Sequence, residues 1–311
     1  VALPSPTSAS LNPILVAAIA ASVLLVVWLR RRAPAQSHPL ARWMSLLGGA
    51  VLLAVVWISP LATVAQHYLL SAHLLQITLL MGVVPPLLLL SLPRHPRVQV
   101  PRALAAALRA IVHPLPAVLG VNAAFFLWHL AGPYDAAGAD WRVDAAQQLS
   151  LFAASIAFWW PIVTPLSPPV RSMTPLGKLG YIVLATIPQT FGGLIVALAH
   201  HPLYATYRSV PRLLDLSLMT DQQVAGVCIA LVSKVSLFAA FFVIFMRALQ
   251  ATAPDSDEGD GGGGGGPRRD APMPIPSGTP RWLQELQRGH TVPEPAPPRV
   301  RVPAASAPGR G

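Results

Sequence analysis

Cysteine is nearly missing from this sequence. Cys228 is the single one among 311 residues, so a disulfide scaffold, a C-x-x-C redox pair and a cysteine-rich zinc site are excluded. Any metal chemistry must rest mainly on the nine histidines. Charge is scarce as well. Only 11% of residues are charged and 53% are apolar, against about a quarter charged in water-soluble domains, which excludes a soluble single domain. Carboxylates are scarcest: before residue 250 there are Asp135, Asp140, Asp144, Asp215 and Asp221 and no others. The apolar part therefore lacks paired carboxylates for acid–base chemistry. No G-x-S-x-G, H-E-x-x-H or Walker sequence occurs either, so the chain reads as a non-enzyme.

What is present falls into two regimes. Apolar stretches long enough to cross a hydrocarbon core of ~30 Å at about 1.5 Å per helical residue run near 13–29, 43–64, 69–92, 115–131, 144–163, 179–199 and 223–249. The fold class is all-α: a polytopic membrane protein with a seven-helix bundle over residues 1–250. The fourth run either stands short as written or extends back through the Ala/Leu segment at 103–112, which leaves its inner boundary open. The first run is followed directly by Arg30, Arg31 and Arg32 and preceded by nothing basic, the arrangement of a stop-transfer span retained in the mature protein. Pro60, Pro85 with Pro86, Pro161 and Pro188 are expected to bend their helices.

The net charge of +10 does not point to nucleic acid, because the arginines punctuate apolar runs instead of clustering among aromatics. It sets orientation. With the N-terminus outside, inner loops hold Arg30, Arg31, Arg32, Arg42, Arg94, Arg97, Arg102, Arg109, Arg171 and Lys178, while outer loops hold only Arg142, Arg208 and Arg212, the bias that resists translocation of basic loops. All five carboxylates then lie outside. Past residue 250, an acidic patch, six glycines at 261–266 and proline-rich sequence cannot bury enough apolar surface to fold, so 251–311 is expected to be a disordered inner tail. Within it, Pro280–Gly289 has the pattern of a short interfacial helix.

Polar side chains inside a bilayer are costly, so their depth is informative. His73 and Gln76 lie within about 10 Å of the outer start of the third run, and His67 sits just above it. His129 is near the outer end of the fourth, Gln147 and Gln148 open the fifth, His200 and His201 close the sixth, and Asp221, Gln222 and Gln223 open the seventh. Imidazoles with a carboxylate, and with Cys228 and Met219 close by in sequence, suit copper or another late transition metal. Interfacial anchoring or interhelical hydrogen bonding would place histidines there equally well. Gln189 and Lys234 count to the midplane. No carboxylate shares the depth of Lys234, which is expected to face a wet cavity, contact Gln189 or a hydroxyl, or lose its proton.

Several strings then stand together in order: SAHLLQ followed by PPLLLL at 71–90, LWHLAGPYDAA at 127–137, FWWP at 158–161, IPQTFGGLI at 187–195, HPLYATY at 201–207 and DQQVAG at 221–226. Their conjunction over about residues 60–250 resembles the CtaG family of bacterial cytochrome c oxidase assembly factors. The resemblance implies a plasma-membrane protein that helps build the haem-copper terminal oxidase, with an oxidase subunit or another assembly protein as partner and copper handled on the outer side. It carries over His73, His129 and the Asp221-Gln222 pair. Where the family usually has two further histidines, this chain has Ile77 and Gln148. The resulting expectation is a copper site of His73 and His129 with Asp221, aided by His67 or His200. The alternatives are a scaffold without metal, a transporter of copper or a small solute, and haem held by the two histidines.

Overall fold

The computed structural model describes residues 3–34, 39–94, 96–163 and 173–252. All of these belong to the compact unit Val1–Pro254. The expected tail from residue 253 onward, with the helix expected over Pro280–Gly289, lies outside the described residues.

Helix accounts for 79% of the described residues and none is in a strand. In chain order the helices are α1 (Pro13–Arg31), α2 (Pro39–Ile58), α3 (Pro60–His67), α4 (Leu70–Gly82), α5 (Val84–Ser91), α6 (Arg102–Ile111), α7 (Pro114–Trp128), α8 (Ala131–Ala139), α9 (Trp141–Val163), α10 (Pro175–Leu198), α11 (Leu218–Val227) and α12 (Ser233–Thr252). A 3₁₀ turn, Ala205–Tyr207, precedes α11, and a π-helical turn, Cys228–Val232, joins α11 to α12. Proline opens α1, α3, α7 and α10, where its missing N–H has no intrahelical partner to lose.

Six helical stretches are long and apolar enough to cross a membrane: α1, α2, α4 with α5, α9, α10, and α11 through α12. These mark a membrane protein. The fourth expected span is a pair: α7 has 15 residues, and α6 meets it at a bend of 67°. Seven crossings are reached only if this pair counts as one. The bend falls at His113-Pro114, because a residue before proline is pushed out of the helical region, and His113 has ψ of 138°. With no buried residue, α6 lies on the outside of the bundle.

The third expected span forms as two helices broken at Val83. Pro85 cannot donate to the carbonyl of Met81, four residues back. The indole Nε1 of Trp159 on α9 takes that acceptor at 2.9 Å. Pro60 acts differently from the expected kink. The second helix ends at Ile58, the Ser59 side chain accepts from the Leu61 N–H at 3.1 Å, and Pro60 starts the new helix α3.

Core residues are concentrated on α2, α5, α9 and α10, with Ile77 and Leu80 added from α4. Helix α4 touches α2, α3, α9, α11 and α12, and α7 packs against α9 and α10. The sequence reading that glycines admit a close neighbour in the sixth span holds for Gly193: an added Cβ there would stand 2.8 Å from the Gly226 carbonyl oxygen on α11. Lys234 at the start of α12 donates to the Ile229 carbonyl at 3.4 Å, inside the π-helical turn.

Candidate functional site

His73 lies in the first turn of α4, and His129 is the residue that ends α7. The bundle brings them together, with ring centroids 6.3 Å apart and ring planes at 62°. In both, Nε2 is buried and has no hydrogen-bond partner among the described residues. A buried polar atom left unpaired costs about 1–3 kcal/mol, so two on neighbouring rings call for a reason.

The second nitrogen of His129 gives part of it. Nδ1 lies 2.6 Å from the Phe125 carbonyl oxygen. A carbonyl only accepts, so Nδ1 carries the proton and Nε2 of the neutral ring keeps its lone pair. A backbone carbonyl on one nitrogen is the usual way an imidazole is aimed to ligate with the other. Stacking on the Phe125 ring, at 4.1 Å between centroids, fixes the plane of His129. At metal–nitrogen distances of ~2.0–2.1 Å, two imidazoles sharing one ion stand no more than about 6.4 Å apart by ring centroid. This pair fits within that limit. Gln147 on α9 has a third buried, unpartnered atom, Nε2, and shares a small hollow with His73 and Asp144.

A tyrosine cluster backs the pair. The edge of Tyr134 meets His73 at 4.9 Å, and Tyr134 packs on Tyr204 at 4.0 Å. The Tyr207 hydroxyl donates to the Ala65 carbonyl at 2.6 Å, so it accepts from the Tyr134 hydroxyl at 2.8 Å. Tyr204 donates to the His129 carbonyl at 2.9 Å. Burial pushes the Tyr134 and Tyr207 phenols well up and that of Tyr204 to about 12, with the charge of Asp135 adding to the last. All three remain donors at neutral pH. These tyrosines lie inside LWHLAGPYDAA and HPLYATY, yet were not among the site residues expected from sequence. The available signal was phenols at the same shallow depth as the histidines. Tyr207→Phe is expected to destabilise the protein by about 1–3 kcal/mol, because it strips a buried carbonyl and a buried phenol of their partner. Thermal unfolding in detergent measures this, and an unchanged Tm would contradict it.

Carboxylates serve the frame around the pair. Asp221, at 1% exposure, accepts from the Leu70 N–H at 2.8 Å, the Ser71 N–H at 3.0 Å and the Ser71 hydroxyl at 2.5 Å. It thereby caps α4 from 150 residues away, where no residue of the α4 sequence itself offers a side-chain cap. Its neighbour Gln222 holds the 201–203 loop, accepting from the Leu203 N–H at 2.8 Å and donating to the His201 carbonyl at 3.2 Å. Asp135 does the same for the 3₁₀ turn, accepting from the Ala205 and Thr206 N–H groups and the Thr206 hydroxyl.

The remaining expected ligands are placed apart. His67 ends α3 half-buried, and burial lowers its pKa. His200 is exposed beyond α10, and Cys228 lies half-buried in the π-helical turn. Among the described residues no group of three or more His, Cys, Asp or Glu is arranged to hold an ion, so the pair has no third ligand of these types. Ile77 and Gln148, where the resemblance implies histidines, are built into the core. Ile77 is buried in the main apolar cluster. Gln148 accepts from the Trp57 indole at 3.2 Å and donates to Gln76 at 3.5 Å, while Gln76 donates to the Val56 carbonyl at 2.5 Å. Beside His129 opens a cavity of about 280 Å³, lined mainly by apolar residues including Phe126, Gly192 and Ile195.

A family model described as cytochrome c oxidase caa3 assembly factor (Caa3_CtaG) matches residues 21–251. No curated protein and no solved structure matches the chain.

Proposed function

Because the chain belongs to the family of cytochrome c oxidase caa3 assembly factors, we propose that it serves oxidase assembly by holding copper as cargo between His73 and His129. The observation that carries this reading is the pair of buried, unpartnered Nε2 atoms on rings 6.3 Å apart. Imidazole suits copper, and Cu(I) accepts two ligands, which is what the pair offers. Asp221 contributes by fixing the start of α4, and with it the position of His73. The role is non-catalytic: an ion is received and passed to a subunit of the haem-copper oxidase.

In this proposal the chain crosses the bacterial plasma membrane seven times, with α6 and α7 as one bent crossing. The N-terminus and the histidine pair face outward, since that orientation keeps the arginine-rich loops inside. Cargo would then arrive and leave without traversing hydrocarbon.

Detergent-purified full chain is expected to take up close to one Cu(I) per chain under anaerobic chelator competition, and His73→Ala with His129→Ala is expected to abolish uptake. His129→Phe, which preserves the stacking on Phe125, guards against loss through misfolding. Unchanged uptake in the double variant would refute both ligands.

A second reading is favoured by the commitment of Asp221, Gln222 and Asp135 to capping: a scaffold that docks an oxidase subunit without metal. The two readings separate in a strain lacking the native protein. A scaffold restores oxidase activity when both histidines are alanine, and a copper carrier does not.

A further inference from the structure

At the opposite end of the bundle, α1 and α2 enclose a cavity of about 360 Å³ lined by Val27, Arg30, Arg31, Pro39, Arg42 and Trp43 among others. Three guanidinium groups share this space. Among the described residues the carboxylates are Asp135, Asp140, Asp144, Asp215 and Asp221, and none of them lines this cavity. The Arg30 guanidinium carbon lies over the Trp43 ring, 3.9 Å from its centroid. Arg30 Nη2 donates weakly to the Pro39 carbonyl at 3.5 Å, while Nη1 is buried with no partner among the described residues. Arg42 is held in place by donating Nη1 to the Leu92 carbonyl at 2.6 Å. Like charges brought together and fixed by stacking and backbone contacts are unfavourable unless an anion joins them. Guanidinium forks match phosphate oxygens.

The surroundings indicate where the phosphate comes from. On α2, Leu40, Met44 and Leu47 are exposed at 71%, 63% and 66% and form one face at helical spacing beside Trp43. On α1, Leu24 and Trp28 are exposed as well. A phosphate in the cavity therefore adjoins apolar stripes that lead away along both helices, which fits a headgroup attached to acyl chains better than a free ion. Anionic lipids enriched in the inner leaflet meet basic residues at this level.

We infer that the cleft between α1 and α2 is a binding site for the phosphate of an anionic phospholipid, gripped by Arg30, Arg31 and Arg42 with Trp43 as the platform beneath Arg30. The site is separate from the histidine pair and stands whether or not copper binds there.

The test is native mass spectrometry of the full chain in detergent with phosphatidylglycerol, phosphatidylcholine or inorganic phosphate added. Preferential retention of phosphatidylglycerol over phosphatidylcholine is expected. Arg30→Gln with Arg42→Gln should weaken it roughly thirtyfold, from about a factor of five per guanidinium. Arg208→Gln with Arg212→Gln, on the 208–212 loop at the histidine end, should leave it unchanged. Should the double variant fail to fold, Arg31→Gln, an exposed residue, carries the test with about a fivefold loss. Equal retention of the two lipids, or retention indifferent to the cleft arginines, overturns the site. Full displacement of lipid by millimolar inorganic phosphate overturns the lipid as its ligand.

Discussion

Asp221→Ala is expected to remove about 3–5 kcal/mol of stability and to leave little folded protein at physiological temperature. The carboxylate satisfies two backbone N–H groups and one hydroxyl at the start of α4. Hydrogen bonds to a charged group contribute about 1.5–3 kcal/mol each, and their sum is less than additive. Alanine would leave the Leu70 N–H, where Leu70 is itself buried, without any acceptor. Asp221→Asn keeps one acceptor oxygen and should lose roughly half as much. The pair of variants also separates two roles for this residue. If Asp221 only caps α4, folded Asp221→Asn protein takes up Cu(I) as the native chain does while melting lower. If it ligates the ion, uptake falls with little change in Tm. Thermal unfolding and metal titration on the same preparations decide the matter.

The second large effect is expected at Gly226. An added Cβ there would stand 2.5 Å from both the Gly193 carbonyl oxygen and the Ala197 backbone nitrogen. Those are main-chain atoms of α10, so no side chain can swing aside to make room. Overpacking in a well-filled core costs about 1–3 kcal/mol even where side chains adjust, and Gly226→Leu forces two backbones apart. Loss of the native size-exclusion peak is expected, with Gly226→Ala intermediate. Gly120, around which nothing stands within 4 Å of an added Cβ, is the control: Gly120→Ala should leave the protein unchanged or slightly firmer. A Gly226→Leu protein that melts like the native chain would show that α10 and α11 do not approach this closely.

How far the sequence could be read depends on the range of the interactions involved. Apolar runs locate the long helices because in hydrocarbon a helix must satisfy its own backbone, and that is a local property. Counting rise per residue likewise put His73 and His129 at the same end, and folding adds that their rings are neighbours. The cap on α4 could not be read, because its donor groups and its acceptor are about 150 residues apart and nothing local in either stretch says which one meets the other. The same holds for Met81 and Trp159, and for Gln148, which pairs with Trp57 across the bundle. Pro60 is hard to read for a different reason. A proline at a kink and a proline opening a helix look alike until Ser59 is recognised as the capping residue before it. The inner boundary of the fourth span stayed open in the sequence because the apolar composition continues across His113-Pro114 while the backbone direction does not.

The Trp159 contact also bears on the order of biogenesis. The Met81 carbonyl belongs to a stretch that enters the bilayer some 80 residues ahead of the indole that satisfies it. Until α9 arrives, that oxygen faces lipid without a donor, at a cost on the order of several kcal/mol. Docking of α9 against the earlier helices satisfies that oxygen, which ties the packing of these two distant stretches together.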